Sequence, residues 1–111
     1  MRGWNQARSL LADPQNERYV SIVSCWELAI KTALGGYKLN VPFLQFVDLG
    51  TKGLNASLLA IDPTHLDLLT TLPFHHRDPF DRLIVAQAKS GRMTLLTNDG
   101  QLSAYGVDCR W

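Results

Sequence analysis

Three carboxylates stand where the chain passes from one kind of element to another: Glu27 in Ser24-Cys25-Trp26-Glu27, Asp81 in Asp78-Pro79-Phe80-Asp81, and Asp99 in Thr97-Asn98-Asp99-Gly100. Each has a local structural explanation. S-x-x-E is a capping box, in which the serine side chain and the glutamate satisfy the first amides of a helix reciprocally. Asp81 falls in the first turn of a helix capped by Asp78, where the positive end of the helix dipole favours an acid by about 0.3–1 kcal/mol. Aspartate in an Asn-Asp-Gly turn bonds its own backbone. If topology brings the three together, their repulsion is most simply offset by a divalent cation. Hard oxygen ligands without a Cys or His cluster favour Mg²⁺ or Mn²⁺ over zinc. Such a site suits phosphodiester hydrolysis, because the ion polarises a phosphoryl oxygen, activates water and steadies the leaving 3′ oxygen. No Ser-His-Asp order, P-loop or GxGxxG points to another chemistry, and Gly35-Gly36 reads as a helix stop.

The elements that must position these acids follow from periodicity and punctuation. Trp4 to Ala12 has helical spacing and is broken by Asp13-Pro14-Gln15-Asn16. Arg18 to Ser24 is β-branched and aromatic, which predicts a strand, with a helix from Ser24 to Leu34 behind it. Pro42 opens a second helical segment, Phe43 to about Lys52, and Ser57 to Ile61 reads as a strand. Asp62-Pro63 and Asp78-Pro79 are both N-cap and first-turn proline signals. They predict helices from Thr64 to about Thr71 and from Pro79 to Ser90, the latter with Phe80, Leu83, Ile84 and Ala88 on its apolar face. Thr94 to Thr97 is a strand, Leu102 to Tyr105 a short helix, and Val107 to Trp111 an edge strand. Alternating strands and helices imply an α/β fold with a mostly parallel sheet covered on both faces. In such a sheet, ligand sites form where strands end and helices begin, the positions of Glu27, Asp81 and Asp99.

Length and composition set the limits. A chain of 111 residues fits one domain, 1–111, and buries enough surface for a core without disulfides. A net charge of +1 excludes a global field for nucleic acid, so an RNA site has to be a local patch. Lys31, Arg77 and Arg82 are candidates near the acids, with Lys38, Lys89 and Arg92 further basic positions. Lys31 also lies four residues after Glu27, the spacing of a helical ion pair, and Arg82 is divided between a salt bridge with Asp81 and phosphate binding. Trp26 is expected in the core, with stacking on a base beside the acids as the alternative. His75 and His76 precede the Asp78 block, where they belong to the loop entering the helix or approach phosphate or metal. Two isolated cysteines, Cys25 and Cys109, with no apolar leader in Met1 to Gln15 and no membrane-length apolar run, fit a reduced cytoplasmic compartment.

The blocks SCWELAIKTALGGYKL, LPFHHRDPFDRLIVAQA, TLLTND and YGVDCRW resemble the PIN-domain family, and most closely its VapC-like toxin endoribonucleases. The likeness runs from Trp4 to Trp111, with HHRDPFDRLIVAQA its most specific part. It implies a PIN-like three-layer sandwich with a central parallel sheet. It also implies metal-dependent cleavage of single-stranded RNA, a small inhibitory antitoxin as partner, and a homodimer. The family's acids fall on Glu27, Asp81 and Asp99, and its strand-end hydroxyl falls on Thr97. Asp78 is a secondary acid, with helix capping as its first role.

The resemblance departs at the front. The family opens with a strand that ends in an acid, and nothing in this sequence matches it. The expectation is an N-terminally truncated domain, with Met1 an internal start or the chain a shortened relative, and with weakened or absent cleavage. The rival class is a catalytically silent module that binds a partner protein along Phe43, Leu44, Phe46 and Val47.

Overall fold

The computed structural model of the chain describes residues 3–111. Met1, on which the expectation of an internal start rests, lies with Arg2 outside the described residues. The chain forms two compact units, one of Glu17–Ala60 and the other of the described residues up to Asn16 together with Ile61–Trp111.

In the Glu17–Ala60 unit, strand β1 (Tyr19–Ser21) pairs in parallel with β2 (Ser57–Leu59), Val20 lying opposite Leu58. Helices α2 (Ile22–Ala33) and α3 (Phe43–Gly53) lie between them in sequence. The strand is shorter than its composition suggests because the next helix begins early. The Ser21 side chain accepts from the Val23 amide at 3.0 Å, which makes Ser21 the N-cap in place of Ser24. That choice turns Val23 and Cys25 inward and leaves Ser24 exposed. Glu27 is therefore past the first turn, and the capping-box explanation for it does not hold. Trp26, expected in the core, is 51% exposed on the same helix. The helix stops as expected: Gly35 takes a φ of +81°, and the Gly36 amide returns to the Lys31 carbonyl at 2.8 Å.

The other unit holds α1 (Asn5–Ala12), α4 (Pro63–Thr70), α5 (Pro79–Gly91), β3 (Leu95–Leu96), a 3₁₀ turn (Gly100–Tyr105) and β4 (Cys109–Arg110). Strands β3 and β4 are parallel, with Leu95 opposite Cys109. Helix α4 packs along α5, and the core is Leu72, Val85, Ala88, Leu102, Tyr105 and Val107. Helix α5 buries more of its circumference than one apolar stripe, since Arg82, Val85, Ala86 and Gln87 are buried beside Leu83 and Ala88. Phe80 and Ile84 are only partly buried. The helix runs through Gly91, and Arg92 takes the left-handed closing position at φ +52°.

The α/β class and parallel pairing stand. A single central sheet is not what the hydrogen bonding forms: among the described residues the strands pair two by two, one pair in each unit.

Asp62 caps α4 as its sequence predicts, accepting from the Thr64 amide and hydroxyl, both at 2.9 Å, while the Asp62 amide donates to His65 Nδ1. The Thr64 amide, then its hydroxyl, holds the Asp62 carboxyl below the usual carboxylate value. A carboxyl whose folded pKa is depressed stabilises fully above its unfolded value, about 3.9, and loses that stabilisation as pH falls through the folded value. The melting-temperature gap between the wild type and Asp62→Ala is therefore expected to stay constant near neutrality and to narrow in acid below about pH 4. Thermal melts across that range check it.

Candidate metal centre

Asp81 and Asp99 are brought together, and a third residue stands between them. One ligand atom from each of His76, Asp81 and Asp99 lies within 4.8 Å of the others, all three side chains being partly buried. His76 Nε2 is 3.0 Å from Asp99 Oδ2 and 3.9 Å from Asp81 Oδ2.

Each member is positioned by a local device. Asp78 is the N-cap of α5, its Oδ1 accepting from the Phe80 amide at 2.8 Å and from the Asp81 amide at 3.3 Å. The cap places Asp81 third in the helix, with its backbone fixed by the residue that the sequence made a secondary ligand. Asp78 is thus a positioning residue for Asp81, and the loss of such a cap costs about 1 kcal/mol. Asp99 is also a cap. Its Oδ1 accepts from the Gln101 amide at 3.0 Å, which starts the 3₁₀ turn, and its own amide donates to Thr97 Oγ1 at 3.1 Å. The turn explanation for Asp99 and its place in the cluster are therefore both met, one by each carboxylate oxygen.

His76 is the residue that sequence reasoning underrated. Its Nδ1 accepts from the Asp78 amide at 3.1 Å, and its own amide donates to the Tyr105 hydroxyl at 2.9 Å. With Nδ1 committed as an acceptor, the neutral ring carries its proton on Nε2 and donates it to Asp99. The available signal was spacing: His76 lies two residues before the cap and five before Asp81.

Arg82 does not fill its expected place. It is 6% exposed. Its Nη1 donates to the Pro73 carbonyl at 2.7 Å and the Tyr105 hydroxyl at 3.1 Å, and its Nη2 donates to the Leu72 carbonyl at 3.2 Å. A guanidinium buried with these acceptors is not offered to a phosphate, so the expected RNA contact gives way to a structural role.

Glu27 belongs to the other unit, where it pairs with Lys31 at 3.1 Å, four residues along α2 as expected. The Lys31 ammonium also lies 5.6 Å over the Tyr37 ring.

Octahedral Mg²⁺ sets its ligands about 2.1 Å away, so trans ligand atoms are about 4.2 Å apart. The cluster needs only a small contraction to fit. Two carboxylates alone suit Mg²⁺, Ca²⁺ or Mn²⁺, and an imidazole nitrogen moves the preference toward transition ions, which leaves Mn²⁺ well matched. Binding an ion through His76 Nε2 would require the ring proton to move to Nδ1, which would give up the hydrogen bond that Nδ1 accepts from the Asp78 amide.

The structure thus defines an α/β protein with a mixed carboxylate and imidazole cluster where α5 and the 3₁₀ turn begin. A family model, described as PIN domain, matches residues 3–107. The chain belongs to the PIN-domain family, whose members are generally nucleases and typically bind divalent metals. Comparison with curated proteins and with solved structures gave no match. Among the described residues, no helix is long and apolar enough to cross a membrane, and Cys25 and Cys109 are free thiols.

Proposed function

We propose that this protein is a divalent-metal-dependent endoribonuclease of the VapC-like type, cutting single-stranded RNA by hydrolysis. The observation that carries this reading is the meeting of Asp81, Asp99 and His76 within 4.8 Å in a chain of the PIN family. Asp81 and Asp99 are the carboxylate ligands, the ion is Mg²⁺ or Mn²⁺, and Glu27, the further acid of the family pattern, is carried by the Glu17–Ala60 unit. Such an ion would polarise a phosphoryl oxygen and lower the pKa of bound water. The residues themselves hold and orient: Asp78 and Thr97 fix the backbones of Asp81 and Asp99, and Lys31 is the basic side chain beside Glu27.

The test is cleavage of single-stranded RNA with Mg²⁺, with Mn²⁺ and with EDTA. Cleavage in both metals that stops in EDTA is the expected result. Cutting that persists unchanged in EDTA, or no cutting under any condition, removes the proposal. His76→Ala is expected to weaken Mn²⁺ affinity about 10- to 100-fold, the range seen when a ligand's supporting partner is lost. Calorimetry measures this without reference to turnover. An unchanged affinity would reduce His76 to a loop residue.

The partner side of the reading is a small antitoxin and a second copy of the chain. Its support is the apolar surface on the Glu17–Ala60 unit. Helix α3 buries none of its residues, and Leu44 is 80% exposed, with Phe46 and Leu49 exposed on the same helix. Surface of this kind on a soluble protein marks an interaction site. The same surface favours the second reading, a silent module whose acids do no chemistry. In that case the EDTA experiment shows no cutting while antitoxin binding persists. Free thiols fit the reducing cytoplasm in which either would act.

A further inference from the structure

We propose that Phe74 and Arg77 form the strand-holding contact of the site, the Phe74 ring stacking on a base and the Arg77 guanidinium meeting a phosphate of single-stranded RNA. This rests on the nuclease reading above and names the residues that grip its substrate.

Phe74 is 85% exposed. A phenylalanine so open to water gains nothing from burial, yet it is not loose. The Arg82 guanidinium lies over its ring, 3.9 Å from the centroid. Arg82 is itself locked by Leu72, Pro73 and Tyr105, so the cation beneath the ring is a fixed plate. One ring face is thereby seated and the opposite face is open. That is a stacking platform whose ordering cost is met before a ligand arrives.

Its position is as telling as its exposure. Phe74 is two residues ahead of His76, so the Cα atoms are at most about 7.6 Å apart. On the other side of the loop, Arg82 follows Asp81 directly in α5. The platform is therefore tied to the cluster by two routes, through the loop and through the helix. Arg77, next to His76, is exposed and makes no hydrogen bond or ion pair among the described residues. The loop thus presents a ring, an acid-facing imidazole and a cation within four consecutive residues.

A base needs only one ring face, and stacking tolerates any sequence because every base has a π-face. A protein hot spot instead needs an anchor ringed by contacts that exclude water. The loop residues that follow Phe74 are His75, His76 and Arg77, all polar, which favours nucleic acid.

The probe is a short fluorescein-labelled single-stranded RNA, bound to the full chain in EDTA and again with Ca²⁺, followed by anisotropy. Phe74→Ala is expected to weaken binding about 5- to 150-fold, the range for losing one stacked base. Phe74→Leu, which keeps an apolar cover over Arg82 without a π-face, is expected to fall with it. Phe74→Trp should bind at least as tightly as the wild type, with its indole fluorescence quenched by RNA. On an abasic strand of equal length, the Phe74→Ala loss should vanish. Arg77→Ala should reduce the salt dependence by about 0.7 in log–log slope, one phosphate's worth for a single strand. Phe74→Leu binding as the wild type does, an equal Phe74→Ala loss on the abasic strand, or no RNA binding by the wild type would each overturn the proposal. Failure of the nuclease reading shows separately, as absence of metal-dependent cutting by the wild type. Circular dichroism and a melt confirm that the Phe74 variants fold.

Discussion

Asp81→Asn is expected to lower metal-dependent RNA cleavage by about 100-fold or more, and to weaken Mn²⁺ uptake with it, while the protein stays folded. Losing even an outer partner of a metal site costs about 10- to 100-fold, and a charged ligand costs more. Asparagine keeps the shape of aspartate but removes its charge and one strong acceptor oxygen. The structural penalty is small, because Asp81 sits in the first turn of α5, where an acid adds about 0.3–1 kcal/mol through the helix dipole. Asp78→Asn is the matched control, three residues away. Asparagine caps a helix as well as aspartate does, and Asp78 spends its Oδ1 on the Phe80 and Asp81 amides. Its cleavage and Mn²⁺ affinity are expected to remain within a few-fold of the wild type. If Asp78→Asn loses as much as Asp81→Asn, the assignment of ligand and cap is reversed. If neither loses anything, the cluster is not the site.

That Asp78 caps a helix with Asp81 in its first turn is readable in the sequence, and the reason is local. Asp-Pro before an apolar run states a cap and a first turn within four residues, and both such signals in this chain, at Asp62 and Asp78, start helices. Gly35 and Gly36 stop α2 where they should. Two serines three residues apart are a different matter. Ser21 and Ser24 can each cap, and the burial of Val23 and Cys25 decides for Ser21. That decision depends on tertiary packing, and with it went the capping box at Glu27 and the buried place for Trp26. His76 was hidden for a related reason. Its value lies in the Asp78 amide on one ring nitrogen and Asp99 on the other, and only the second of these spans a long stretch of sequence. Arg82 reads as a surface cation by type, because burial of arginine requires acceptors that no sequence window displays together.

Arg82→Ala is expected to destabilise the protein by several kcal/mol, since each buried acceptor left without its donor costs about 1–3 kcal/mol. The guanidinium serves the Leu72 and Pro73 carbonyls, the Tyr105 hydroxyl and the Phe74 ring at once. Truncation leaves the acceptors short of donors and opens a void beside Leu72 and Tyr105, both in the core. Against a total stability of about 5–15 kcal/mol, that loss removes a large part of the margin. Arg82→Lys is expected to restore little, since a single ammonium does not reproduce a planar fork directed at three acceptors. Arg77→Ala, at an exposed position five residues earlier, should change stability by no more than about 0.5 kcal/mol. Urea melts of the three variants measure the contrast. A small loss at Arg82, equal to that at Arg77, would show that the network is not formed in solution. The same bonds reach the metal cluster, because Tyr105 also takes the His75 and His76 amides, at 3.1 and 2.9 Å. Arg82 thereby anchors the loop that holds the imidazole against Asp99, and Arg82→Lys protein that still folds should bind Mn²⁺ more weakly than the wild type although no ligand has been changed.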